Sequence, residues 1–159
     1  MTLISMLVAK THLRVVGDDE DADIELKLEA AEQSAASYLN RNLYNDQAAL
    51  DVAMAAAPAL FSTARQVNQE AVDAAMLLED DTERDMALAA AAERFGAASS
   101  TAVLTYRGMV VTSAIKAAIL LTLGHLYENR EEVVVGLSVA EMPLSAKSLL
   151  RPHRISAGL

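Results

Sequence analysis

The chain has 159 residues and no cysteine, which excludes disulfides, thiolate metal sites and cysteine nucleophiles and bounds it to one modest domain. Apolar residues make up 53% of it, but aromatics only 4%, so its core is built from small side chains whose helices approach closely. The net charge of −9 is uneven: residues 1–46 and 47–108 each carry about −5 and residues 133–159 about +2, an acidic body that argues against grasping nucleic acid without forbidding DNA from passing nearby.

In chain order, Ser5 opens a short helix to about Leu13, with Met6, Leu7 and Leu13 as its inner face, and Gly17 stops it. Asp18 or Asp19 then caps a helix over about residues 20–41. Acids fill its first turn, where they favour the helix dipole, and Ile24, Leu28, Ala31, Ala35 and Leu39 recur at helical spacing. The same acidic run lacks the alternating ligands, central glycine and terminal glutamate of a calcium loop.

Residues 45–100 are Ala-rich. Pro58 is placed to start a helix to about Leu78, with Val67, Ala71, Ala74 and Leu78 as its stripe. Asp80 or Asp81 caps a second helix over about 82–95, which Gly96 terminates. Together they predict an αα-hairpin, an insertion or arm on the domain. The β-branched residues around Arg107 and Gly108 predict a small β-hairpin or extended segment.

Ser113 then caps the most apolar helix, about 114–129, which reads as central to the fold or lodged between subunits. Its apolar run is too short to span a bilayer. The segment Val133–Val139 reads as two short strands about Gly136, or as one strand completing a partner's sheet. Pro143 opens a last helix, Leu144 to about Leu150, which Pro152 ends. The fold class is therefore mainly α: a small helical bundle with a central apolar helix, an inserted Ala-rich αα-hairpin and a short β-hairpin.

Chemistry is sparse. His125 and Glu128 stand three apart on a helix, as metal ligands in bundles do, but no other helix supplies a matching pair, so no metal and no cofactor is assigned. No phosphate loop, nucleophile elbow or HExxH is present, and an enzyme has no residues to stand on. The basic end, with Lys147, Arg151, His153 and Arg154 following Leu149 and Leu150, reads either as a frayed terminus or as a docking peptide.

Several blocks taken in order carry a resemblance: KTHLRV at 10–15, DDED at 18–21, SYLNRNLY at 37–44, AIKAAILLTLGHLYENR at 114–130 and MPLSAKSLLRPHR at 142–154. The chain resembles the head-tail connector (adaptor) proteins of tailed bacteriophages over about residues 3–44 and 105–155. His153 stands where members often have tyrosine. The resemblance implies a structural virion protein, not an enzyme. It would form a ring under the portal, lengthen the DNA channel and offer a platform to the next neck or tail-completion protein.

Implied partners are further copies of the chain, twelve by analogy with the portal, the portal protein itself and that downstream protein, with genomic double-stranded DNA passing unbound and no membrane. Implied locations are the virion neck and, during assembly, the host cytoplasm. The resemblance assigns portal docking to Leu149, Leu150, Arg151, Pro152, His153 and Arg154. Tyr127, Glu128, Asn129 and Arg130, at the end of the apolar helix, are expected to satisfy backbone groups or meet a neighbouring subunit. The alternative is a helical dimeric regulatory or chaperone-like adaptor.

Overall fold

The computed structural model describes residues 2–129, 133–134, 137–138 and 142–155. It is mainly helical. In order come α1 (Met6–Leu13), α2 (Asp21–Leu39), β1 (Leu43–Tyr44), α3 (Gln47–Ala75), α4 (Asp81–Tyr106), β2 (Met109–Val110), α5 (Ser113–Glu128), β3 (Val133–Val134), β4 (Leu137–Ser138), α6 (Leu144–Leu150) and a 3-10 turn, Arg151–His153. They divide into two compact units, one of residues 1–46 with 109–159 and one of residues 47–108.

In the first unit, α2 packs on α5, and α5 on α6, with α1 against both α2 and α5. The stripe Ile24, Leu28, Ala31, Ala35 and Leu39 is buried as its spacing predicts, facing Ile115, Ala118, Ile119 and Leu123 of α5 and Ala146 and Leu150 of α6. The apolar helix α5 is thus central, but one-sided: Lys116, Ala117 and Leu121 remain exposed. Thr112, not Ser113, is its N-cap, the hydroxyl accepting from the Ile115 amide at 3.4 Å. On α1, Ala9 is buried and Met6 and Leu13 pack half-buried against the core as expected, whereas Leu7 is 76% exposed. The α2 N-cap is Glu20, two residues or fewer beyond the aspartates expected there.

Strands β1 and β2 pair in parallel, Leu43 opposite Met109 and Tyr44 opposite Val110. Parallel pairing requires a long crossover, and here the whole α3–α4 segment is that crossover. The chain therefore leaves and returns to the first unit at adjacent points. A short antiparallel pair, β3 with β4, spans Gly136, as the sequence suggests.

In the second unit, both helices outrun their expected limits. Pro58 lies inside α3 and Gly96 inside α4, and the segment expected to be extended is helical to Tyr106. Asp80 is the α4 N-cap, accepting from the Glu83 amide at 2.8 Å, and Arg84 pairs with Asp81 and donates to the Leu78 carbonyl. Arg84, Leu88, Ala91, Phe95, Ser99, Ala102 and Thr105 recur along α4 at steps of three and four; Ala91, Ala102 and Thr105 are buried and the others half-buried. Against them α3 buries Ala57 and Ala75, with Phe61 and Phe95 rings 6.2 Å apart.

Candidate functional site

The C-terminal segment is not a loose tail. Leu150 is fully buried in the first unit's own core and Leu149 is half-buried against it, while Arg151, Pro152 and Arg154 are exposed and His153 is half-buried. The leucines expected to await a partner thus hold the segment down instead, because α6 has no other large side chain buried against α5 and α2. Beyond α6 the backbone is tied to the end of α2. The Ile155 amide donates to the Leu39 carbonyl at 3.0 Å, and the Arg41 guanidinium donates to the His153 carbonyl at 3.2 Å. Arg154 stands over the Tyr38 ring, 5.1 Å from its centroid, where the ring's negative face attracts the cation. These ties hold the segment while Arg151 and Arg154 remain exposed.

This clasp explains the block SYLNRNLY. Asn40 ends α2 in the left-handed conformation, φ 55°, which turns the chain so that Arg41 points back over the 3-10 turn and Met109. Tyr38 and Arg41 were not among the expected site residues; an aromatic and an arginine three apart at a helix end were the available signal.

At the other end of α5, Tyr127 donates to Glu20 Oε2 at 2.6 Å, and Lys27, itself paired with Asp23, lies 5.4 Å from the Tyr127 ring centre. That pins the end of α5 to the start of α2. Asn129 caps α5, its side-chain amide donating to the His125 carbonyl at 2.8 Å, so it serves the backbone of its own helix. Glu128 is exposed. Arg130 lies outside the described residues. The His125 Nε2 is buried without a hydrogen-bond partner, and among the described residues no group of three or more His, Asp or Glu side chains is placed to hold a metal ion.

The N-terminal segment has its own anchor, which periodicity could not announce. Glu32 on α2 accepts from the Leu3 and Ile4 amides at 2.7 and 3.0 Å. Burial pushes its carboxyl above the usual glutamate range, and those two amide bonds only partly offset it. Lys10 bridges Asp18 and Asp21 at 2.8 and 2.6 Å, locking α1 to the start of α2; the hydrogen bond it donates to Asp18 chiefly holds its ammonium above the ordinary value.

Residues 5–81 match the model of the family described as Phage gp6-like head-tail connector protein. Over that stretch, just under half of its length, the chain is similar to this family. The match takes in α1, α2, β1 and all of α3, and so covers the first three of the five blocks that carry the resemblance; α5, α6 and the basic end lie beyond it. Searches of curated proteins and of solved structures gave no significant match. A head-tail connector has a structural role. Among the described residues of this chain, no helix is long and apolar enough to cross a membrane.

Proposed function

We propose that this chain assembles as a ring under the portal of a tailed phage, in twelve copies to match the portal, lengthens the DNA channel and carries the next neck or tail-completion protein. Portal docking falls to Arg151, Pro152, His153 and Arg154, with Leu149 and Leu150 as the anchor that fixes the segment's base within the subunit. One observation carries this reading: an exposed basic end is held in a defined conformation on a chain whose net charge is −9. Ordering that segment in advance lowers the entropy lost on docking, and guanidiniums suit carboxylates on a partner. Repetition around a ring turns a weak single contact into strong attachment. An acidic body lets genomic DNA slide past without being gripped. Such a protein resides in the virion neck and passes through the host cytoplasm during assembly.

The test is attachment to purified portal-bearing heads. Arg151→Glu with Arg154→Glu is expected to cut attachment at least tenfold while the melting temperature stays within a few degrees of the wild type. Undiminished attachment by that variant assigns docking to another surface. Light scattering of the wild type separates this reading from a dimeric adaptor, which would remain a dimer at every concentration and would ignore portal-bearing heads.

A further inference from the structure

The second unit carries an apolar groove and a helix face of mostly small residues, both exposed. The first is a groove of about 450 Å³ between α3 and α4, floored by Ala56, Ala91 and Ala98 and walled by Leu60, Val67 and Phe95, with Arg94 as the charged residue in its lining. Leu60 is 48% and Val67 56% exposed, and from Val52 to Ala64 the chain has no charged residue at all, although only Ala57 of that stretch is buried. A helix apolar on every side belongs inside an assembly.

The second face is the outer side of α4, where Met86, Ala89, Glu93, Gly96, Ser100 and Val103 recur at steps of three and four, all exposed and none on the seam that meets α3. Such spacing is that of a helix with a second packing seam. Gly96 sits in the middle of this 26-residue helix, a costly place for glycine, yet a Cβ there would meet nothing within 4 Å. Nothing inside the subunit requires it. A glycine flanked one turn away by Ser100 lets another helix come close.

We propose that the α3–α4 groove of one copy receives the outer face of α4 from the neighbouring copy, so that the hairpins pack side by side around the assembly. The occupant is a second copy because the two faces complement each other within one chain. A small-residue ridge fits an alanine-floored groove, and the single acid on the ridge, Glu93, meets the cation in the groove, Arg94. The contact is head-to-tail, using two different faces, and therefore repeats around a ring instead of ending at a dimer. It rests on the reading that the copies assemble, and it adds an interface to that reading.

The absence of cysteine makes the test direct. Thr63, in the groove, and Ser100, on the ridge, are replaced singly by cysteine in the full-length chain, assembled with portal-bearing heads and treated with a short bismaleimide cross-linker. A mixture of Thr63→Cys and Ser100→Cys chains is expected to give cross-linked pairs, and neither chain alone is. In parallel, Glu93→Arg and Arg94→Glu should each reduce assembly at least tenfold, and the double variant should restore it. Gly96→Leu should raise the melting temperature of the unassembled chain while weakening assembly.

Thr63→Cys cross-linking to itself would mean a two-fold pairing, and cross-linking to another virion protein a different occupant; either result overturns the contact. Assemblies that form normally but show neither the mixed cross-link nor charge-swap rescue overturn this interface alone. Chains that never assemble, with or without heads, overturn both this interface and the ring.

Discussion

Glu32 shows how a single carboxylate ties the chain's start to the bundle. Its folded-state pKa is raised by burial, so the folded protein binds that proton more readily than the unfolded chain. The resulting stability is fully present below the ordinary glutamate value and is lost as pH rises through the raised value. Urea unfolding across mildly acidic pH is expected to show this decline in the wild type and to lack it in Glu32→Gln, whose side-chain oxygen still accepts from Leu3 and Ile4. Glu32→Ala, which strands both amides, should cost about 1–3 kcal/mol. At the opposite end of the unit, Tyr127→Phe removes the bond to Glu20 and should cost about 1.5 kcal/mol, read from the same denaturation curves. Leu150→Ala belongs to a different class: it empties a fully buried site and should cost about 2–5 kcal/mol.

At the scale of elements, α2 and α5 obey the sequence closely, and the hairpin does not. Periodicity located every buried position of α2 because a 19-residue amphipathic stripe leaves only one face for the core. In α3 and α4 the usual punctuation misleads. Proline starts helices because its missing N–H is free there, and glycine ends them because it tolerates left-handed geometry, so Pro58 and Gly96 look like boundaries. Both instead lie inside long helices whose alanines favour the helical state and whose seams pack on each other, which outweighs the local penalty. Pro58→Ala should return a donor to the Met54 carbonyl and raise stability by up to about 3 kcal/mol, visible as a higher melting temperature. An unchanged melting temperature would show that the helix has already absorbed the loss through a local bend.

For the whole molecule, the decisive feature is that its C-terminal segment is half structure and half surface. Removing residues 149–159 should destabilise the first unit by at least as much as Leu150→Ala, because Leu149, Leu150 and the ties to Leu39 and Arg41 all go with it. Thermal unfolding of the 1–148 chain checks this, and full stability would show that Leu149 and Leu150 contribute little to the core. Attachment defects must accordingly be sought with Arg151 and Arg154, which lie on the surface, and not with the leucines.

The sequence alone determined the helical class, the buried stripe of α2, the central place of α5, the hairpin's existence and the likeness to the connector family, since these follow from spacing, composition and contiguous blocks. Only the tertiary structure decided that Leu150 faces inward, that Arg41 and Tyr38 clasp the basic end, that Glu20 receives Tyr127 and that Asn129 serves its own helix. Each of these is a meeting of residues brought together by the fold, as Arg41 and His153 are across 112 positions, or a choice between inside and outside for an apolar side chain. Periodicity marks which face of a helix is apolar; it does not say whether the surface that covers that face belongs to the same chain.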